Sequence, residues 1–253
     1  MGLWTTEHAI TLIPALAVMI IISVVLKITI GKKDLKTRLI PIRILACILV
    51  VLEIGKQLVS ISRGYDLYHL PFHFCSLFIF VVPFMAFYNG KHKNLVYGTT
   101  TALCSALFLL MLIYPNLIYS AGNIKEFFTN YISFHTVAFH NIVMLEFLLI
   151  LFLGIHNPSD TKSEQKTVII FTVCFCVVAA VMAQILKTNY ANMYTCNVPF
   201  FENIRLNLQG VLGYTVTQII YVLILFVLNI LFVYMAYWAA RLLNSLINKT
   251  NTK

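Results

Sequence analysis

The feature that most constrains this chain is a succession of long apolar segments. A helix needs about 20 consecutive apolar residues to cross the roughly 30 Å hydrocarbon core of a bilayer. Segments of about this length lie near residues 8–29, 38–60, 70–88, 94–115, 133–155, 167–187 and 213–238. The sequence therefore predicts an all-α polytopic membrane protein, a bundle of about seven transmembrane helices in a single transmembrane domain over residues 1–253.

The composition excludes a soluble protein. Hydrophobic residues make up 60% of the chain and charged residues 11%, with a mean hydropathy of +0.87, whereas soluble domains carry roughly a quarter charged residues. The net charge of +9 comes from basic residues in loops between apolar runs, so no nucleic-acid partner is expected. The six cysteines show no CxxC pair, which argues against a disulfide framework or a zinc ribbon.

The distribution of Lys and Arg predicts an orientation. Of the 18 basic residues, five fall in loops on one side of the predicted bundle: Lys56, Arg63, Lys125, Lys187 and Arg205. The other 13 fall on the opposite side, which is therefore expected to be cytoplasmic. This predicts a multi-pass protein of the cell membrane with its N-terminus outside and its C-terminus in the cytoplasm.

Chemically capable side chains gather at the outer ends of four predicted spans. Ionisable residues at membrane depth are unfavourable and usually face the bundle interior, so each one is a functional hypothesis. Glu146, deeper in the fifth span, is expected to pair inside the bundle. The outer residues are Glu53, Lys56, Gln57, His69, His73, Cys75, His135, His140, Asn189 and Tyr190.

Two chemistries fit this outer set, and the spacing leaves both open. His69 and His73 are four residues apart, which on a helix places two imidazoles on one face, as in many metal sites. Cys75 lies about 200° round the helix from His73 and cannot join them. The alternative is nucleophilic catalysis by Cys75 with a histidine from another span as its base.

Neighbouring residues also have simpler interpretations. Glu53 and Lys56, three residues apart on one helical face, can simply neutralise each other. His135 and His140 lie about 140° apart round a helix, so one is expected to face the site and the other a neighbouring helix or the headgroups.

One segment resembles a known family. Leu70-Pro71-Phe72-His73-Phe74-Cys75-Ser76-Leu77, preceded by Glu53-x-x-Lys56, is similar to the YwaF family of bacterial membrane proteins, which is related to eukaryotic transmembrane protein 164. Phe139-His140 and Asn189-Tyr190 follow in the same order. The resemblance implies a multi-helix membrane fold and, by analogy with the eukaryotic branch, phospholipid acyl transfer through a cysteine and a histidine.

Carried over to this chain, the resemblance implies Cys75 as the nucleophile and His140 as its base. It implies supporting roles for His73, Glu53, Lys56, His135 and Asn189. The leading hypothesis is a lipid acyltransferase that needs no cofactor or metal, with membrane phospholipids and a lysophospholipid acceptor as its partners. An intramembrane lipid or fatty-ester hydrolase, thiol- or metal-dependent, and a non-enzymatic transporter or receptor are the alternatives.

Overall fold

The computed structural model describes residues 4–156 and 161–248, which form helices and connecting turns with no strand among them. Short 3₁₀ turns lie at Leu67–His69, Cys75–Leu77, Pro115–Leu117 and Tyr190–Asn192. The helices, numbered in chain order, are α1 (Thr6–Ile30), α2 (Leu35–Ser62), α3 (Phe78–Phe87), α4 (Lys93–Ile113), α5 (Ala121–Lys125), α6 (Tyr131–Phe152), α7 (Thr161–Leu186), α8 (Pro199–Leu212) and α9 (Tyr214–Asn248).

Six of the described helices are long and apolar enough to cross a membrane: α1, α2, α4, α6, α7 and α9. This confirms the predicted all-α polytopic membrane protein. Helices α4 and α6 form the centre, because two thirds of the residues in their apolar windows are buried, while α1 and α9 expose most of theirs. Helix α4 packs against α9, α6 and α7, and α2 packs against α6 and α3.

The bundle has two distinct ends. At one end, the last turns of α2 and α7 meet the first turns of α6 and α9; we call this the Cys75 end. At the other end, the first turn of α2 reaches the end of α6, where Arg38 Nη1 donates to the Leu153 carbonyl at 2.7 Å. There α7 also meets α9, where the Tyr237 hydroxyl donates to Glu164 Oε2 at 3.0 Å. We call this the Glu164 end.

The third predicted span, 70–88, differs from expectation. Its helix α3 has 10 residues, which rise about 15 Å, half the thickness of a hydrocarbon core. Residues 63–77 before it are irregular apart from two short 3₁₀ turns. Gly64 and Tyr65 adopt left-handed φ angles of 91° and 33°, and Pro71 lacks the N–H that a continuing helix requires.

This irregular chain folds back among the helices. Ser76 is buried and Phe78 is fully buried, and the Phe74 ring packs edge-on against Phe78 and Phe175 with centroids 5.8 and 6.1 Å apart. Non-helical backbone at membrane depth is tolerated where protein covers it or where it lines a cavity. The break in the third span is therefore the place where this fold departs from a simple helical bundle.

Candidate functional site

Glu53 is the centre of a buried ion-pair cluster at the Cys75 end. Its Oε1 lies 2.7 Å from Lys56 Nζ and accepts a hydrogen bond from Gln57 Nε2, also at 2.7 Å. Its Oε2 lies 3.2 Å from His135 Nε2 on α6. Glu53 is 7% exposed and Lys56 9% exposed. We call these four residues the Glu53 cluster; its two full charges offset each other in a region that water barely reaches.

A close approach of α2 and α6 brings the cluster together. The Tyr131 hydroxyl donates to the Leu52 carbonyl at 3.0 Å. A Cβ atom on Gly55 would lie 2.1 Å from that hydroxyl, so the contact requires glycine at this position. The register set by Gly55 and Tyr131 places His135, one turn further along α6, opposite Glu53.

The irregular segment is tied to α2 by the polar face of that helix. Gln57 Nε2 also donates to the His69 carbonyl at 2.9 Å, and the Tyr65 hydroxyl donates to Gln57 Oε1 at 2.8 Å. The His69 ring nitrogen Nδ1 lies 2.7 Å from Ser60 Oγ. Gln57 therefore links the Glu53 carboxylate to the segment that contains Cys75.

His73 packs inside the same segment. Its Nε2 lies 3.0 Å from the Tyr68 carbonyl, and because a carbonyl only accepts, this nitrogen is the donor. Its ring contacts Tyr68 at a centroid distance of 4.3 Å and Tyr190 at 5.3 Å, and the Tyr190 hydroxyl donates to the Leu67 carbonyl. The predicted placement of His69 and His73 on one face of a helix is therefore wrong, because no regular helix joins them.

Cys75 begins the 3₁₀ turn that leads into α3 and is partly exposed. The segment that contains this thiol is held against α2 by the contacts of Tyr65 and His69 with Gln57 and Ser60. The thiol that the sequence singled out therefore belongs to a segment anchored by Gln57, a member of the Glu53 cluster.

His140 lies one and a half turns deeper on α6 than His135 and is buried. Its Nδ1 lies 2.6 Å from the Thr136 carbonyl, which fixes the proton of a neutral ring on Nδ1 and leaves the lone pair on Nε2. None of its described contacts joins it to the Cys75 thiol. Of the two α6 histidines, His135 is therefore the one in direct contact with Glu53.

Asn189 organises its own loop. Its Oδ1 accepts from the backbone N–H groups of Tyr194 and Thr195, at 3.3 and 3.1 Å, and its Nδ2 donates to Asn197 Oδ1. The contact with the irregular segment comes from the next residue, Tyr190, which is fully buried.

A second buried cluster, which sequence reasoning missed, lies at the Glu164 end. Glu164 Oε2 lies 3.3 Å from His156 Nε2 and accepts from the Tyr237 hydroxyl. A Cβ atom on Gly98 would lie 3.2 Å from the Glu164 carboxyl carbon, so glycine lets this carboxyl approach α4. Lys162 and Lys166 on either side make this stretch of sequence look like a solvated loop, and no simple pattern marks Glu164 as buried.

Glu146 on α6 contrasts with both clusters. It is 0% exposed, and neither carboxyl oxygen has a hydrogen-bond partner among the described residues. The expected pairing inside the bundle is therefore not seen in this part of the chain.

No three His, Cys, Asp or Glu side chains come together as possible metal ligands within residues 4–156 and 161–248. The regular helix that would place His69 and His73 on one face is replaced by irregular chain between two 3₁₀ turns. A metal-dependent chemistry thus has no ligand set in the described structure.

The helices and the broken third span define a polytopic helical membrane protein with a polar site enclosed at one end. The chain belongs to the TMEM164 family, whose family model matches residues 3–234. The match extends well beyond the short motifs on which the resemblance rested, and it confirms that resemblance. No curated protein and no solved structure matches the chain.

Proposed function

We propose that this protein is a membrane-embedded lipid acyltransferase. Cys75 is the nucleophile, His140 is its general base, and the acyl chain moves from a phospholipid to a lysophospholipid. The excess of basic residues on the opposite side supports placing the Cys75 end in the outer half of the cell membrane as part of this proposal.

One observation carries the proposal: the break in the third span contains a thiol, and Gln57 ties this segment to a buried ammonium–carboxylate pair. Broken helices at membrane depth offer a substrate free backbone groups, which a regular helix uses in its own hydrogen bonds. Gln57, which also binds Glu53, fixes the position of the segment. Membership of the TMEM164 family agrees with the resemblance from which the roles of Cys75 and His140 were inferred.

In the first step, the Cys75 sulfur attacks the carbonyl carbon of a phospholipid ester as its proton passes to His140 Nε2. A C–S bond forms and the ester C–O bond breaks. The departing glycerol oxygen takes the proton back from the imidazolium and leaves as a lysophospholipid. The step requires the segment to shift towards α6, because the described structure has no Cys75–His140 contact.

In the second step, the hydroxyl of a second lysophospholipid gives its proton to His140 and attacks the thioester carbon. The C–S bond breaks, the new ester forms, and the proton returns to the Cys75 sulfur. Glu53, Lys56, His73, His135 and Asn189 position the reacting groups without being consumed.

The test uses the full-length protein in phosphatidylcholine vesicles with an isotope-labelled lysophospholipid, and the products are measured by lipid mass spectrometry. We expect Cys75→Ala to lower the transfer rate by about 100-fold or more, the scale of an essential reacting group. The matched control is Cys176→Ala, which removes a fully buried thiol from the α7 core and should leave the rate near that of the wild type. An unchanged rate in Cys75→Ala contradicts the proposal.

Leaving out the lysophospholipid separates transfer from hydrolysis. An acyltransferase then releases little free fatty acid, while a hydrolase releases it at its full rate because water is its acceptor. Loss of activity on chelation without loss on thiol alkylation would indicate the metal-dependent hydrolase instead.

A further inference from the structure

A groove of about 490 Å³ opens on the outer surface of the bundle between α7 and α9. Its walls are the apolar side chains of Val181, Ile185, Ile219 and Leu223, and its floor includes Ala180 and Val222. The volume lies within the roughly 300–1,000 Å³ typical of small-molecule sites. Ala180 has a small side chain, so a larger residue at this position would fill part of the groove.

The groove has the length of one lipid leaflet. On α9 its lining runs from Tyr214 to Leu223, nine residue steps that rise about 14 Å. Half of a hydrocarbon core is about 15 Å thick. A partner transmembrane helix would need a contact along most of the full thickness, whereas one acyl chain of one leaflet fits this length.

Neutral polar groups close one end of the groove. Gln184 Nε2 donates to the Met193 carbonyl at 2.9 Å, and Gln218 Nε2 donates to the same oxygen at 3.1 Å. The Tyr214 hydroxyl donates to Gln184 Oε1 at 3.4 Å. This rim lies at the Cys75 end, where α7 finishes and α9 begins. The second N–H of the Gln184 amide and the hydroxyl of Tyr214 are groups of the kind that bind ester and glycerol oxygens.

Helix α8 lies next to this rim with its apolar side outward. Phe200, Phe201 and Val211 are 67%, 57% and 81% exposed. Its buried Arg205 instead turns inward, where it pairs with Glu202 at 2.6 Å and donates to Gln218 Oε1 at 3.3 Å. A helix with this arrangement lies in the membrane interface, at headgroup level.

The floor of the groove adjoins the segment that contains Cys75. Ala180 is part of a buried cluster against which Phe72, Phe74 and Leu77 pack, and Val222 packs against the same cluster. The groove and the thiol thus lie at the same end of the bundle, with this cluster between them.

We propose that the α7–α9 groove binds one acyl chain of a phospholipid, with the ester and glycerol oxygens at the Gln184–Tyr214 rim beneath α8. As a lipid-binding site the groove is independent of the reaction. As the site that holds the acyl donor, it rests on the proposed function.

The test is photolabelling of the full-length protein in phosphatidylcholine vesicles that contain a small fraction of a phosphatidylcholine with a diazirine in its acyl chain. Labelled residues are mapped by peptide mass spectrometry. We expect labelling of α7 and α9 around the groove to exceed, by about tenfold, labelling of the equally lipid-exposed face of α1 at Ile20, Val24 and Ile28. Equal labelling of the two surfaces overturns the proposal, because the groove would then hold only exchanging bulk lipid.

Matched variants sharpen the result. Ala180→Phe fills the floor and should lower groove labelling about tenfold, while Val178→Phe adds the same ring size to α7 at a 49% exposed position outside the groove and should change nothing. If Ala180→Phe does not fold, Leu223→Trp at the groove wall replaces it. Undiminished groove labelling in a folded filling variant counts against the site.

Cys75→Ala distinguishes this proposal from the proposed function. Groove labelling that persists in Cys75→Ala supports the site whether or not acyl transfer is lost. The opposite combination is acyl transfer that depends on Cys75 with labelling that does not favour the groove. It would contradict the groove proposal and still support the acyltransferase proposal.

Discussion

The two ends of the bundle each bury a glutamate against a histidine, and they differ in what surrounds the pair. The Glu53–His135 and Glu164–His156 contacts are nearly equal in length, at 3.2 and 3.3 Å. At the Cys75 end the carboxylate also binds Lys56 and Gln57, and Gln57 joins it to the non-helical segment that contains Cys75. At the Glu164 end the carboxylate instead accepts a hydrogen bond from the Tyr237 hydroxyl. The adjacent cavity of about 10 Å³ has room for about one water molecule.

This difference separates a structural polar cluster from a candidate reaction site. A buried ion pair by itself locks helices together and is no indication of chemistry. A buried ion pair that anchors a non-helical segment with a nucleophile is a candidate reaction site, because the break frees backbone groups that a regular helix keeps bonded. The comparison can be tested with paired substitutions at the two ends.

The largest effect is expected on stability. Glu53→Gln leaves the buried Lys56 ammonium without its carboxylate, which should lower the free energy of unfolding by about 3–5 kcal/mol. Glu164→Gln leaves the His156 imidazole and the Tyr237 hydroxyl, which also accepts a hydrogen bond from Arg241 at 3.4 Å. Since neither lost contact involves a fixed charge, this substitution should lower the free energy of unfolding by about 1–3 kcal/mol. Denaturant unfolding in detergent measures both, and equal losses would remove the distinction between the two pairs.

The next effect is expected on activity. His140→Gln removes the proposed base and should lower acyl transfer by about 100-fold, while His156→Gln at the Glu164 end should leave the rate near that of the wild type. The vesicle assay with labelled lysophospholipid measures both. A loss of transfer in His156→Gln as large as in His140→Gln would show that the two ends are not functionally distinct.

Glu146 should tolerate a change that Glu53 does not. Without a described partner for either oxygen, an ionised carboxylate at this fully buried position would be far too unfavourable, so the group is a neutral acid. Glu146→Gln replaces it with a neutral side chain of the same shape and should change the free energy of unfolding by less than about 1 kcal/mol. A destabilisation comparable to that of Glu53→Gln would reveal a hidden ionic partner.

The smallest effect is expected at α8, outside the membrane-spanning helices. A hydrogen bond from Arg205 lowers the pKa of Glu202 below its ordinary value. The stabilisation from this pair is therefore complete above the ordinary carboxyl pKa of 4.5 and is lost as the pH falls through the lower folded value. Because Glu202 is 20% exposed, the contribution is about 0.2–1 kcal/mol.

Hydrogen exchange of the α8 backbone measures this loss. The protection factors, which correct the exchange rates for the intrinsic pH dependence of amide exchange, should fall below about pH 4.5 in the wild type. In Glu202→Gln they should be lower from the start and should not change over the same pH range. If the protection of α8 changes with pH in the same way in both proteins, the Glu202–Arg205 ion pair does not stabilise the helix.

The sequence predicted the membrane helices well because apolar length is a local property. Six of the seven predicted segments are helices long enough to cross a membrane. The break before α3 was not predicted, because residues 70–88 are as apolar as a span. Pro71 and the left-handed turn at Gly64 interrupt the helix without reducing its hydropathy.

The candidate site was predictable in part for a similar reason. The Glu53–Lys56 contact is local, three residues along one helix. The Glu53–His135 contact depends on the register of α2 against α6, which the Gly55–Tyr131 approach determines and which no pattern within either helix encodes. The Glu164 cluster was missed because its contact with Tyr237 joins residues 73 positions apart in the chain, and the nearby His156 and Glu164 lie in a stretch whose sequence is typical of a polar loop.

The central claim, that Cys75 forms an acyl thioester, is tested most directly by intact-protein mass spectrometry. The full-length protein is incubated in phosphatidylcholine vesicles without an acceptor, and the mass is measured before and after treatment with neutral hydroxylamine, which cleaves thioesters. We predict the added mass of one acyl chain on the wild type, its loss with hydroxylamine, and its absence from Cys75→Ala. An unmodified wild-type protein, or the same adduct on Cys75→Ala, would contradict the claim.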